Sequence, residues 1–304
     1  MSMRLFIFGA GYSGRAIARS AIADGAFVAG TTRSADKAEE LRADGIEPAL
    51  FDGGPLSSEI EAALGETTHL IVSIAPGEVD PVLAAARDTI VNRMPALRWI
   101  GYLSTVGVYG DHGGAWIDES AECRPVSRRS QARLAAERAW LALAVETDLP
   151  VAILRLSGIY GPGRNGFVNL DKGTARRIVK PDQVFNRIHV DDIAGATMLL
   201  AKEAKGGIFN VTDDEPAPPQ DVVAYAASLM SVAPPPEIPF NEAEMTPMAR
   251  SFYGENKRVA NARIKQAGYR FRFPDYRAAL DDLWSSGTWR GHAEGADARS
   301  KIGD

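Results

Sequence analysis

The sequence predicts an α/β fold: a doubly wound parallel sheet with a smaller lobe toward the C-terminus. Three observations predict it. Short apolar runs alternate with longer helical patterns through the first half, the arrangement that gives parallel strands joined by crossover helices. The first strand runs into a turn with glycines at fixed spacing, Gly9-Ala10-Gly11-Tyr12-Ser13-Gly14. Composition then shifts after residue 212, where Asp213-Asp214-Glu215-Pro216-Ala217-Pro218-Pro219 and Pro234-Pro235-Pro236 bracket one helix, Gln220–Met230.

Each element follows in order. Leu5–Phe8 is strand one and Tyr12–Asp24 its helix; Ala26–Thr31 is strand two, and Ser34 is placed to N-cap the helix Ser34–Ala43. Glu47–Phe51 is a short third strand, Leu56–Leu64 a helix, His69–Ile74 an apolar strand four, Pro81–Met94 a helix and Trp99–Leu103 strand five. Ser127–Glu146 is a long helix with Leu134, Trp140, Leu141 and Val145 available for one face. Val151–Leu156 is strand six, and Asp191–Lys202 and Gly207–Val211 add a last helix and strand. Residues 1–165 with 186–212 are thus expected to form the sheet domain, and 166–185 with 213–285 the lobe. The stretch 286–304 is polar, lacks a periodic pattern and is expected to be disordered.

Composition narrows the function. Apolar residues make up 45% and charged residues 24% of the 304, as in an ordinary soluble globule. Thirty-four basic side chains against thirty-nine acidic ones give a net charge of −5 without blocks, which argues against nucleic acid as a partner. The one cysteine, Cys123, forbids an internal disulfide and fits a reducing compartment. No apolar run approaches the roughly 18 residues that span a bilayer. The N-terminus is already a core strand, so a signal peptide and a membrane partner are not expected and the chain reads as cytoplasmic. No His/carboxylate cluster suggests a metal.

The glycine turn carries the first functional signal. Gly9 permits the tight strand-to-helix turn, Gly11 lacks the Cβ that would hold the backbone away from a pyrophosphate, and Gly14 lets the helix lie close on the strand. The N–H groups of Tyr12, Ser13 and Gly14 open the helix and face the anion. Strand, turn and helix in this order are a Rossmann-type dinucleotide site. NAD-selective versions place a carboxylate near the end of strand two to hold the ribose 2′-OH. Here that place reads Gly30-Thr31-Thr32-Arg33-Ser34. Arg33 can pair with a 2′-phosphate while Thr32 and Ser34 donate to it, so NADP is expected over NAD; alternatively Arg33 is a solvated side chain beside Asp36. Asp52 is placed to accept from the adenine amino group or to cap the following turn. Ser73 near the end of strand four, Ala75 just beyond it, and Ser157 and Gly158 beyond strand six complete the cofactor candidates.

Four segments resemble the extended or atypical short-chain dehydrogenases/reductases of the epimerase/dehydratase type. They are Tyr102-Leu103-Ser104-Thr105-Val106-Gly107-Val108-Tyr109-Gly110, Leu154-Arg155-Leu156-Ser157-Gly158-Ile159-Tyr160-Gly161-Pro162-Gly163-Arg164, Arg187-Ile188-His189-Val190-Asp191-Asp192, and Phe209-Asn210-Val211-Thr212. The family's usual first glycine is Phe8 here, as in its atypical branch. The resemblance implies a Ser/Thr at the end of strand five, matched by Thr105, and a Tyr-x-x-x-Lys pair on the next helix. In Arg129-Ser130-Gln131-Ala132-Arg133-Leu134-Ala135-Ala136-Glu137 the tyrosine position is Arg129 and the lysine position is Arg133. A guanidinium holds its proton, so Arg129 cannot replace the tyrosine as acid or base. Arg133 can hold a ribose or phosphate, and together the two suit an anionic substrate group; the alternative is a solvated pair with Glu137 at i+4 from Arg133. Tyr109 is a candidate substitute acid beside the nicotinamide site, with Tyr160 at the equivalent strand end shaping the pocket. His189 is expected to have a structural hydrogen-bonding role, and Asp111–Ser120 resembles the family's substrate-covering loop.

Two readings follow: an NADP(H)-dependent oxidoreductase or epimerase of atypical mechanism acting on a small carbonyl, hydroxyl or sugar-type substrate, or a non-catalytic NADP(H)-binding sensor. A homodimer through the long helices after strands four and five is a further expectation from the resemblance.

Overall fold

A computed structural model describes residues 2–291. The seven strands of its central sheet are β1 Arg4–Phe8, β2 Phe27–Thr32, β3 Glu47–Leu50, β4 His69–Val72, β5 Trp99–Thr105, β6 Val151–Leu156 and β7 Gly207–Val211. All pair in parallel, in the order β7-β6-β5-β4-β1-β2-β3. The chain starts at the centre, winds out through β2 and β3, then crosses to β4 and winds the other way. The crossover leaves a crevice at the carboxyl ends of β1 and β4, where open α/β sheets bind ligands.

The alternation within β1 makes the sheet two-sided. Leu5 and Ile7 enter one core with Ala16 and Ile17 of the helix Tyr12–Ala23 and Ile193 and Leu200 of the helix Val190–Lys202. Phe6 and Phe8 enter the other with Val82 and Ile90 of Pro81–Asn92 and Trp140 and Leu143 of Arg128–Thr147. The long helix buries Ser130, Ala136, Glu137, Trp140 and Leu143, while Val145, expected on the same face, is 87% exposed. Five residues from Trp140 is about 140° round a helix, which turns Val145 away from the sheet.

The lobe packs Phe167, Ala226, Leu280 and Trp289 around the helices Gly166–Asp171, Pro219–Leu229 and Tyr276–Ser285. Asp192, fully buried, fastens the C-terminal segment to the sheet domain: it accepts from the Tyr269 hydroxyl (2.7 Å), the Arg272 N–H (2.7 Å) and the Phe273 N–H (3.0 Å). Three two-stranded pairs went unread in the sequence, among them Trp116–Ile117 with Arg258–Val259. That pairing draws the loop Asp111–Ser120 onto the lobe, with the His112 and Gly114 N–H groups both donating to the Asn256 carbonyl. The expectation of disorder from residue 286 is corrected for 286–291. Thr288–Arg290 forms a 3-10 turn that buries Trp289 against Phe167 and Trp284. The remainder of that expectation, residues 292–304, lies outside the described residues. Among the described residues no helix is long and apolar enough to cross a membrane.

Candidate functional site

The glycine turn has the geometry its residue types demand. Gly9 sits at φ +86°, and its N–H donates to Thr31 Oγ1 at 2.8 Å. A Cβ on Gly14 would stand 2.8 Å from the Gly9 carbonyl oxygen and 3.3 Å from an Ile7 methyl, so this glycine sets the distance between helix and strand. A Cβ on Gly11 would meet nothing within 4 Å. That open space lies at the start of the helix Tyr12–Ala23, whose first turn carries no acidic residue, and an anion can approach its free N–H groups. Two substitutions separate the roles. Gly14→Ala is expected to cost about 1–3 kcal/mol by overpacking, read as a fall in the urea midpoint. Gly11→Ala is expected to leave that midpoint unchanged and to weaken dinucleotide binding about tenfold or more, read by titration.

At the end of β2, Thr31 is committed to Gly9, and Ser34 caps the helix Ala35–Ala43 by accepting from the Lys37 N–H at 3.5 Å. Arg33 is exposed and forms no ion pair with Asp36 or any other acid among the described residues. Thr32 beside it is half-buried. Asp52 accepts from the Gly54 N–H at 2.9 Å, so one of its oxygens caps the turn. Ser73 continues the β4 ladder by donating its N–H to the Phe8 carbonyl, and Ile74 lies over Gly9.

Beyond these ends a cavity of about 1710 Å³ opens between sheet and lobe. Its sheet side holds Ala75, Thr105, Ser157 and Gly158, and the helix Arg128–Thr147 adds Arg129, Ser130 and Arg133. Thr105 Oγ1 accepts from the Gly107 N–H at 3.1 Å, which leaves its own proton free for a ligand oxygen. Arg133 is half-buried, donates to the Leu103 carbonyl at 2.6 Å and lies 5.7 Å from the Tyr102 ring centroid. Arg129 is exposed at the rim, 6.0 Å from the ring centroid of Phe252 in the lobe. Neither pairs with Glu137, whose carboxylate is buried and held by Arg155 at 2.8 Å and by the Ser104 hydroxyl.

Tyr109 does not take the role the sequence suggested. It is fully buried, off the cavity wall, and its hydroxyl donates to Asn210 Oδ1 at 2.7 Å with the Arg155 guanidinium 4.7 Å from its ring. Burial pushes its pKa up to about 12, and its proton has no path to a ligand. Tyr160 does line the cavity, but its hydroxyl is turned inward without a hydrogen-bond partner. Sequence reasoning also missed Arg164, Arg176 and Arg187 on the same wall. Arg164 at 6.0 Å from the Tyr12 ring lies beside the glycine turn, and Tyr12 donates to the Pro162 carbonyl at 3.0 Å. No spacing signal marks these arginines, because the wall is assembled from segments far apart in sequence. Among the described residues no His/Cys/Asp/Glu group could hold a metal ion.

His189 caps the helix Val190–Lys202 by accepting from the Asp191 N–H at 3.2 Å, with the Phe273 ring 4.3 Å away. Burial lowers its pKa to about 4, with Asp191 opposing the shift. The unfolded chain therefore takes up a proton near pH 6.5 that the folded chain refuses until about pH 4. This contribution to stability is complete above pH 6.5 and declines as the pH falls toward 4. His189→Gln is expected to flatten that decline in urea midpoints measured between pH 4 and 7.

The model of the NAD dependent epimerase/dehydratase family matches residues 5–212. Protein YeeZ of Escherichia coli is 29% identical over 289 residues, covering 90% of this chain and 97% of YeeZ. A 3-diazoavenalumate denitrifying reductase from a Streptomyces species is 30% identical over 152 residues, 45% of this chain and 48% of the reductase. Among solved structures, a functionally unknown conserved protein from Silicibacter pomeroyi is 47% identical with a TM-score of 0.87, covering 94% of this chain and 99% of that one. The fold is shared with human epimerase family protein SDR39U1 with NADPH (18% identity, TM-score 0.72, 93% and 99% covered). It is shared as well with a Thermus thermophilus UDP-glucose 4-epimerase complex with NAD (21% identity, TM-score 0.72, 92% and 98% covered).

Proposed function

The chain belongs to the NAD-dependent epimerase/dehydratase family, and on that premise we propose that it is an NADP(H)-dependent oxidoreductase or epimerase-like enzyme. Its substrate is a small molecule bearing a carbonyl or hydroxyl group, and it works without the family's Tyr-x-x-x-Lys pair. The observation that carries the reading is the cavity itself, which runs from the cofactor-side residues Ala75 and Ser157 to the lobe and presents Thr105 and Arg133 at the junction. Arg33, free of any acid partner among the described residues at the end of β2, supports NADP as the cofactor. The single cysteine and the lack of a spanning helix among the described residues support a cytoplasmic setting.

The nicotinamide, when bound, supplies hydride transfer. Thr105 donates a hydrogen bond to the substrate oxygen. Arg133, held in place by the Leu103 carbonyl, offers its remaining N–H groups to the negative charge that develops there. The guanidinium gives up no proton, so the oxygen is protonated by water. Thr105→Val is expected to lower kcat/KM about 10–100-fold through loss of that hydrogen bond, leaving the dissociation constant for NADPH unchanged.

The deciding experiment titrates the protein with NADPH and NADH, then follows NADPH absorbance against aldehydes, ketones and keto-sugars. Tighter binding of NADPH with oxidation by any panel member is expected; preference for NADH would overturn the cofactor assignment. Tight binding without oxidation would favour the sensor reading, which draws support from the two arginines at the tyrosine and lysine positions.

A further inference from the structure

Five arginines line the cavity: Arg129, Arg133, Arg164, Arg176 and Arg187. Among the described residues none of them has a carboxylate oxygen within 4.0 Å. This inverts the charge of the chain as a whole, which carries 39 acids against 34 bases. Two belong to the cofactor side, Arg133, bonded to the Leu103 carbonyl of β5, and Arg164 beside Tyr12. Arg129 is at the rim, and Arg176 is exposed and bonded to the Glu244 carbonyl.

Arg187 differs from these four. It lies on the inner wall, on the short strand Arg187–His189, paired in register with Gly158, which puts no side chain beside it on the neighbouring strand. Its Nη1 donates to the Phe185 (2.9 Å) and Ala217 (3.0 Å) carbonyls, both neutral. Asp213, buried nearby, has both oxygens without a hydrogen-bond partner; burial raises its pKa well above the usual carboxylate range, with Arg187 opposing the shift. Burial lowers the pKa of Arg187, Asp213 opposes that shift, and no carboxylate oxygen reaches the guanidinium within ion-pair distance among the described residues. Ile178, Phe185, Met245 and Tyr253 of the same lining form one apolar cluster, with Asn186 and Lys257 also on the wall.

We propose that Arg187 anchors the acid group of the substrate, and that the substrate is an organic carboxylate with an apolar body. A single guanidinium offers the planar fork that matches one carboxylate bidentately. The cluster of Ile178, Phe185 and Met245 beside Tyr253 suits an apolar body. The assignment of a substrate, as distinct from a ligand, rests on the oxidoreductase reading above.

The test measures binding apart from turnover. Wild-type protein and Arg187→Gln, each saturated with NADPH, are titrated by calorimetry with cinnamate, its neutral isostere cinnamamide, decanoate and uridine diphosphate. Cinnamate or decanoate is expected to bind, cinnamamide about tenfold more weakly or worse, and Arg187→Gln to lose about tenfold or more of the acid's affinity with NADPH binding intact. Should Arg187→Gln fail to fold, Arg187→Lys, which keeps the charge without the fork, is expected to give an intermediate loss. Equal binding of cinnamate and cinnamamide, acid binding that survives Arg187→Gln, no acid binding at millimolar concentration, or preferential uptake of uridine diphosphate would each overturn the proposal. Acid binding through Arg187 without NADPH oxidation by any carbonyl compound would overturn the oxidoreductase reading and leave the anion site standing.

Discussion

Glu137→Ala is expected to destabilise the protein by about 3–5 kcal/mol, the cost of leaving a buried charge without its partner. Glu137 and Arg155 have side chains 1% and 4% exposed, joined by Nη2–Oε2 at 2.8 Å and two contacts from Nε at 3.2 Å. The Ser104 hydroxyl donates to the same carboxylate, and the guanidinium lies on the face of the buried Tyr109. The pair ties the long helix to β5 and β6 directly beneath Thr105. With the carboxylate gone, Arg155 keeps its charge, and among the described residues it forms no ion pair with any other acid. Urea denaturation measures the loss. Exchanging both partners, Glu137→Leu with Arg155→Met, is expected to restore most of it, since apolar residues of similar volume are often as stable as a buried ion pair. A loss below about 1 kcal/mol for Glu137→Ala would mean that water reaches Arg155.

The same pair shows where the sequence was legible and where it was not. The sheet could be read because buried parallel strands are near-continuous apolar runs, such as Leu70-Ile71-Val72 or Val151–Leu156, and each declares itself locally. The glycine turn declares itself in the same way, since Gly9 and Gly14 meet constraints set by the turn, its strand and the residues just beyond β4, while Gly11 faces open space where a ligand would lie. The site beyond it depends on partners distant in sequence. Glu137 stands at the right helical spacing to pair with Arg133, yet it faces the sheet and is claimed by Arg155, 18 residues on. Tyr109 and Tyr160 occupy equivalent motif positions, and only the fold shows one hydroxyl sealed by Asn210 and the other turned toward the interior. Two-residue strands such as Trp116–Ile117 carry no period of their own, and their partner lies about 140 residues away. Arg187 stands in a segment that resembles the family and Asp213 in the run that opens the lobe, and neither position marks a binding group in the sequence. Their meaning comes from lying side by side, Asp213 buried and Arg187 on the cavity wall, without an ion pair.

The cofactor end of the cleft carries the other large expected effect: Arg33→Asp should shift the ratio of NADPH to NADH dissociation constants by about 100–1000-fold toward NADH. The argument runs by elimination along the end of β2. Thr31 is buried against Gly9, whereas the Ser34 hydroxyl, which caps the helix that follows by accepting, keeps its proton to donate. Arg33 is the cation at this strand end, with Thr32 and Ser34 beside it to donate, to meet whatever the ribose 2′ position bears. A charged hydrogen bond to a phosphate is worth about 1.5–3 kcal/mol, roughly 10–150-fold in affinity, and an aspartate in its place adds like-charge repulsion against NADPH. It also supplies the acceptor that a ribose 2′-OH needs, so NADH should gain while NADPH loses. Arg33 is exposed and holds nothing else in place, so the thermal midpoint should not move, and the effect on the ratio can be read without a folding correction. Paired fluorescence titrations of wild type and Arg33→Asp decide the matter. An unchanged NADPH affinity would mean that no 2′-phosphate is recognised at this strand end, and NAD would become the natural partner of the glycine turn.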